Sequence, residues 1–582
     1  MRPWLRPLAA ALMLWSGAAL AEIRINIEGV DGDLRRNVLT FLSVERYRQR
    51  AGVDEDTMTR LFNRIDEEVR GALRPFGYYE PAVRSTFGPE GNGWHVDISI
   101  TRGPVVRITK VNIEVTGPGA NDSQFTALAD FPLISEGMTL NHGLYEQAKG
   151  ELTRTAAANG YLDARLLRSQ LLVDPQAHTA QIDLALETGP QYRFGQVAIE
   201  QSVIRPELMQ RFLRFKQGDP YSVTQLLRTQ FALDDSLYFA AVEVSPGERD
   251  PQTLTVPISI TASKSRRQFT IGAGYGTDTS VRGTIGWTDS RVNDRGHRLR
   301  IEFKASTILQ RLDARYDIPI GDPALEKFSL DAISRSEILS DLNTQEYTLK
   351  PSVTQVRGLW QRVFSLAATH TVTNKGAVDR QSANLLVPGI TYASVPEGFL
   401  GEALFSREFY AELIGSHSVL GSDADFLRLL LQSERDFDLS DKWHVLLRGQ
   451  FGVSLVRNFG DLPGIYRFFA GGDRSVRGFA YNSLSPQEYV AMRDGTTELQ
   501  KTGGRNLIVG SAELVRDLPR NLAVATFFDI GNAFNRFGDP MEYSAGVGLR
   551  YRLPVVSIGL DIAQPLSRSG SPRLHLNISP KL

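Results

Sequence analysis

From residue 266 to residue 582 the sequence adopts a period of two and keeps it with almost no helical pattern. Phe269, Ile271, Ala273 and Tyr275 alternate with Thr270, Gly272, Gly274 and Gly276. Leu299, Ile301, Phe303 and Ala305 alternate with Arg298, Arg300, Glu302 and Lys304, and Leu312, Ala314, Tyr316 and Ile318 with Arg311, Asp313, Arg315 and Asp317. Successive side chains of a strand point to opposite faces, so these segments carry one apolar face and one charged or glycine-lined face. A soluble sandwich also alternates, but here the pattern continues for 317 residues with a charged second face. Closed barrels span lipid because every backbone group is paired. At ~20 residues per strand and turn, this length predicts an all-β transmembrane barrel of about sixteen antiparallel strands over 266–582. Alternation is less clean over 334–424, where strand boundaries are left open. The 51 glycines and 29 phenylalanines suit small inward residues and aromatic girdles.

Ahead of the barrel stand three repeats of roughly 80 residues, a spacing typical of an array of like units. The first (22–103) opens with Ile23–Ile27, has an amphipathic helix near Asp56–Leu73, then Gly77-Tyr78-Tyr79, and closes on Trp94–Ile100 before Gly103-Pro104. The second (104–189) opens with Val111–Val115, has a helix around Leu144–Ala158, then Gly160-Tyr161, and closes on Ala180–Leu186 before Gly189-Pro190. The third (190–265) runs Phe194–Ile199, a helix near Val223–Asp234, Tyr238-Phe239 and Leu254–Ile260. Each reads β-α-α-β-β, an α+β unit with helices on one face of a small sheet. Residues 1–21 read as a signal peptide. Arg2 and Arg6 precede the apolar run Leu8–Trp15, and Ala19-Leu20-Ala21 offers a small-x-small cleavage site. No later apolar run reaches the ~18 residues of a membrane helix.

Lys plus Arg number 65 against 66 Asp plus Glu, a balance that argues against nucleic acid as partner, since phosphates call for a basic face. The absence of cysteine removes disulfides and thiolate chemistry. The eight histidines are scattered without metal-ligand spacing. No catalytic residue, metal or cofactor is assigned, and the chain is not read as an enzyme.

The densest motif is Gly471-Gly472-Asp473-Arg474-Ser475-Val476-Arg477-Gly478-Phe479. Its Val476, Arg477, Gly478 and Phe479 resemble the signature on the inward-folded loop of the BamA/TamA superfamily of outer-membrane assembly factors. Gly510–Leu514 resembles that family's Gly-x-x-Glu strand, Phe527–Phe534 its Asp-x-Gly strand, and Ser544–Arg550 its last hairpins. The repeats look like POTRA domains, which take extended segments at a sheet edge. With three units and the ending Ile578–Leu582, the resemblance points to the TamA-like branch.

Alternation leads to the same residues independently. Leu522, Val524, Phe528 and Ile530 share a face, so Asp529 points the other way. Ile508, Ala512 and Leu514 do likewise and leave Glu513 opposite. A planar guanidinium on an inward loop suits two such carboxylates, and the resemblance places Arg477 there. The resemblance further implies a seam between first and last barrel strands, with candidates Gly272, Gly274, Gly276, Leu574, Leu576, Ile578 and Pro580. Leu574, Leu576, Ile578 and Leu582 would face lipid, and His575, Asn577 and Lys581 the interior. Pro580 has no N–H for a ladder, and the glycines either weaken pairing or make room for the Arg477 loop. The implied function is insertion or secretion of client outer-membrane proteins such as autotransporters. POTRA units in the periplasm of a Gram-negative bacterium and a TamB-like inner-membrane-anchored partner go with it. A two-partner secretion transporter, which carries two POTRA units, is the alternative.

Overall fold

The computed structural model describes residues 23–50, 52–91, 93–129, 133–375, 379–395, 407–491, 496–553 and 556–580. The expected signal peptide, Lys581 and Leu582 lie outside these residues. Two compact units are present. One comprises residues up to 196 with 217–224 and 247–257, and the other residues 197–216, 225–246 and 258–582. The division runs through the third repeat.

All three repeats build the same three-stranded sheet, in which the last strand of the repeat lies in the middle. In the first, Gly93–Thr101 pairs parallel with Ile23–Glu28 and antiparallel with Ala82–Glu90. In the second, Thr179–Glu187 pairs likewise with Arg107–Thr116 and Arg165–Asp174. Helices Gly32–Phe41, Glu55–Phe62 and Ile65–Leu73 cover the first sheet, and helices Ser123–Ala129 and His142–Ala158 belong to the second repeat. The cores are alternate strand residues against one helix stripe: Ile25, Val96 and Ile98 with Val38, Met58, Ile65 and Val69 in the first. In the second, Ile182 and Leu184 meet Tyr145, Ala148 and Leu152.

The helix expected over Asp56–Leu73 is two helices, broken at Asn63–Arg64. Arg64 N–H bonds Leu61 C=O, a tighter i→i−3 turn. The buried set Met58, Leu61, Ile65, Val69 and Ala72 keeps its helical spacing across the break, so periodicity alone does not reveal it.

The recurring Gly-Tyr has a physical cause. Gly77 and Gly160 have φ of +85° and +88°, a region that favours glycine. A Cβ on Gly77 would stand 2.8 Å from Leu140 C=O, and one on Gly160 2.8 Å from Tyr221 C=O. Their own carbonyls accept from Val106 and Tyr192 N–H, both at 2.8 Å. The motif is therefore a backbone joint to the following repeat. In the third repeat Leu237 takes this place at φ +58°, a conformation that costs a non-glycine residue about 1–2 kcal/mol. The next residue, Tyr238, is buried and donates its hydroxyl to Gly296 C=O at 2.6 Å.

Residues 268–580 form a closed antiparallel barrel of sixteen strands, from Gln268–Gly276 round to Arg573–Pro580. Phe269 and Ile271 are 73% and 79% exposed on its outer face, whereas inward Arg311 pairs with Asp313 at 2.7 Å and Lys327 with Asp317 at 3.2 Å. Outward aromatics cluster where Trp360 stacks on Tyr392, with ring centroids 4.9 Å apart. Over 334–424 the strands are long, among them Leu342–Arg357, Trp360–Lys375 and Asp379–Ser394. The pattern is blurred there because the inner face mixes charges, such as Arg335 with Glu337 and Glu412 with Arg428, with uncharged residues. The latter include buried Thr344, Thr348, Thr369 and Thr371, then Ala383, Leu385 and Val387 packed with Phe459 and Leu462. Phe459 and Leu462 belong to the connection 457–505 between strands Trp443–Val456 and Asn506–Leu518, which folds into the barrel.

Candidate functional site

Arg477 is carried by that connection and is 1% exposed. The strands Asn506–Leu518 and Leu522–Phe534 are neighbours in the wall and set Ser511 opposite Asp529 and Glu513 opposite Phe527. All four side chains point inward. Arg477 Nε donates to Asp529 Oδ2 at 2.8 Å and Nη2 to Asp529 Oδ1 at 2.9 Å, the two parallel bonds of a guanidinium fork. Nη1 donates to Glu513 Oε2 at 2.7 Å, and Nη2 also to Ser511 Oγ at 3.2 Å. The backbone N–H of Arg477 adds a third bond to Asp529, 3.1 Å long. The guanidinium carbon lies 3.3 Å from the centre of the Phe527 ring, a cation–π contact in a desolvated place.

Neighbouring motif residues seat the loop. Val476 is fully buried with Leu507, Val509 and Ala533, and Phe479 packs half-buried against the same cluster. Gly478 N–H donates to Ser544 Oγ at 3.0 Å, and a Cβ there would come within 2.5 Å of Ser544 Cβ. The glycine is needed for this close approach.

Charge is balanced by residues that alternation and motif did not single out. Arg550 donates to Glu513 Oε1 at 3.0 Å and pairs with Asp561, which also lies 3.5 Å from Arg477 Nη1. Arg448 stands 3.6 Å from Glu513. Burial works against the charge on Arg477, but the Asp529 and Glu513 carboxylates outweigh it and raise its pKa above the ordinary guanidinium value. Arg550 and Asp561 were findable as inward charges on the next two strands, and only their convergence needed the barrel.

At the seam the first and last strands pair at Tyr275–Ile578 and Gly276–Asn577, with Thr277 N–H to Leu576 C=O at 3.1 Å. By contrast the last strand pairs with its other neighbour, Val556–Pro565, from Arg573 to Pro580. Gly274 makes room for the seam itself rather than for the Arg477 loop: a Cβ there would stand 2.8 Å from Ile578 C=O and 2.8 Å from Arg282 Nε. Gly272 and Gly276 face inward in the same strand, and Pro580 sits at its partner's end, opposite Val556. Leu574 is exposed on the outer side, whereas His575 is 3% exposed and points inward.

Among the described residues Asp278, Asp473 and His575 bring three ligand-type atoms within 4.8 Å of one another. Both imidazole nitrogens, however, already face acceptors, Nδ1 the Asp473 carboxylate and Nε2 the Arg477 carbonyl. The ring has no free lone pair for a cation.

Small α/β repeats followed by a lipid-facing barrel, with an inward loop locked to its wall by a buried arginine, define a class of outer-membrane barrel proteins. The sequence profile of the Omp85 superfamily domain matches residues 400–578, and that of POTRA domain TamA domain 1 matches residues 24–102. The outer membrane protein assembly factor BamA of Neisseria meningitidis serogroup B is 22% identical over 546 residues, covering 81% of this chain and 66% of that protein. BamA of Nitratidesulfovibrio vulgaris is 26% identical over 166 residues, covering 27% and 20%. The chain thus spans less than two thirds of the length of either relative. The crystal structure of BamA from Haemophilus ducreyi lacking POTRA domains 1–3 shares the fold at a TM-score of 0.62 and 16% identity, over 81% of this chain and 99% of that one. The chain thus carries an Omp85 superfamily domain over residues 400–578 and, over residues 24–102, a domain that matches POTRA domain TamA domain 1.

Proposed function

We propose that this protein is a TamA-like assembly factor that promotes insertion or secretion of β-barrel clients, autotransporters among them. The repeats 22–265 act in the periplasm and engage a TamB-like, inner-membrane-anchored partner. The observation that carries this reading is the match of the first repeat to POTRA domain TamA domain 1, at the head of three repeats that share one strand order. The seam supports it: two register pairs close the barrel, and edge strands freed there offer unpaired backbone on which a client strand can form. The lock of Val476, Arg477, Gly478 and Phe479 on Glu513 and Asp529 holds the wall beside the seam in one shape. The barrel is a conduit and template, with no bond chemistry assigned to it.

The test is depletion of the protein followed by quantitation of outer-membrane proteins. Selective loss of autotransporters and a subset of barrels, with co-purification of an inner-membrane-anchored partner through residues 22–265, is expected. An unchanged outer-membrane proteome, or loss of one dedicated secreted protein alone, would refute the assembly role.

A further inference from the structure

His575 lies in the last barrel strand, Arg573–Pro580, and its ring is held between two groups of the inward connection. Nε2 faces the Arg477 carbonyl, which can only accept, so this nitrogen carries hydrogen. Nδ1 faces Asp473 Oδ1, so one further proton is shared between ring and carboxylate. The same Asp473 donates its backbone N–H to Asp278 Oδ2 at 2.7 Å, and Asp278 stands in the turn joining the first two barrel strands. His575 Nδ1 is 3.9 Å from Asp278 Oδ1. Gly471 and Gly472, at φ +99° and +103°, bring the chain close enough that a Cβ on Gly472 would lie 2.5 Å from Asp278 Oδ2.

The loop thus holds both sides of the seam from within, the last strand through His575 and the first hairpin through Asp278. We propose that His575 and Asp473 form a proton-operated latch: their shared proton holds the inward loop to the closing strand, and its loss lets the seam part. The inference rests on the reading of the seam as the moving part of the barrel.

The charged groups round the ring support the direction. Asp473 faces it from the loop and Asp278 from the first turn. Asp561 lies opposite His575 in the register of the penultimate strand but pairs with Arg550 and Arg477. The Arg477 guanidinium is turned to Asp529 and Glu513. Arg282 donates to Asn577 at 2.8 Å across the seam. Asp473 and Asp278 both lie within ion-pair distance of the imidazole. A neutral ring would put a lone pair against the Asp473 carboxylate. Docking is therefore favoured while the proton is shared and weakened when it is lost. Histidine suits such a switch because its ordinary titration lies near neutrality.

The experiment uses the full-length protein in lipid vesicles, with spin labels on Arg474→Cys and Ser571→Cys, both exposed positions in a chain without native cysteine. A single narrow distance at about pH 6, giving way to a second, longer population towards about pH 9, is expected across the histidine range. His575→Gln, which keeps a donor but cannot titrate, and Asp473→Asn should each abolish that pH dependence. In ring-nitrogen NMR of 15N-histidine protein, the resonance missing from His575→Gln should show both nitrogens protonated below the transition. A distance unchanged with pH, or one that changes equally in His575→Gln, overturns the latch. Client assembly by a barrel with a cross-linked seam is measured separately. Its persistence would sink the moving-seam reading, and its loss alongside a pH-independent distance would sink the latch alone.

Discussion

Arg477→Ala strands a carboxylate in the barrel interior. Asp529 is wholly buried, and without Arg477 it keeps Ser511 Oγ, at 2.7 Å, and the backbone N–H of residue 477 as donors. Glu513 fares better, because Arg550 remains at 3.0 Å and Arg448 at 3.6 Å. The substitution thus breaks one buried pair rather than two, and breaking such a pair costs about 3–5 kcal/mol. Loss of the Phe527 contact adds about 1 kcal/mol. Lysine restores a charge but not the fork, so at least one charge-assisted bond is lost, for about 2 kcal/mol. In the double variant Arg477→Ala/Asp529→Asn no charge is stranded, and the destabilisation should fall short of the sum of the single variants by about 1–3 kcal/mol. The assay is reversible urea unfolding of the barrel in vesicles, with heat-modifiable gel migration as a second readout. Stability of Arg477→Ala within about 0.5 kcal/mol of the natural protein, the range of an ordinary surface change, would show that the network is not buried as described. Strict additivity of the two substitutions would refute the stranded-carboxylate explanation.

A disulfide between Tyr275→Cys and Ile578→Cys, register partners across the seam, should leave the barrel folded but stop client assembly when oxidised and restore it when reduced; full activity of the cross-linked form refutes a moving seam. Gly478→Ala should push the loop off the wall, because its Cβ meets Ser544 Cβ at 2.5 Å and Pro565 N at 3.0 Å. Protease cleavage within 457–505 should rise several-fold while the sixteen strands persist. Gly274→Val places a side chain against Ile578 C=O and Arg282 and should lower the temperature of heat-modifiable migration, whereas the same change at Gly449, which has open space, should not. Leu184→Ala, at a fully buried position of the second repeat, should destabilise that repeat by about 2–5 kcal/mol in denaturant unfolding of the natural chain.

Two kinds of information in the sequence were local enough to be read directly. Where an inward face is charged and an outward face apolar, as in Arg311–Asp317, period two assigns every side chain to its side of the wall. The sixteen strands follow from length. Alternation likewise put Glu513 and Asp529 on the inner face before any pairing was known, and the Gly-Tyr joints were visible because a left-handed backbone admits few residues. Folding in three dimensions decided the rest. Over 334–424 uncharged residues interrupt the inner charges where a distant segment, Phe459 to Leu462, covers Ala383, Leu385 and Val387, and no local pattern records a cover supplied from far along the chain. The break at Asn63–Arg64 is hidden for the opposite reason, since the buried stripe continues through it. Arg477 meets Asp561 and the His575 ring because the connection folds back onto the consecutive last strands, and the same loop reaches Asp278 of the first hairpin because closure brings strand sixteen round beside strand one. A contact made by closure depends on the whole circuit of strands, and no segment carries it alone.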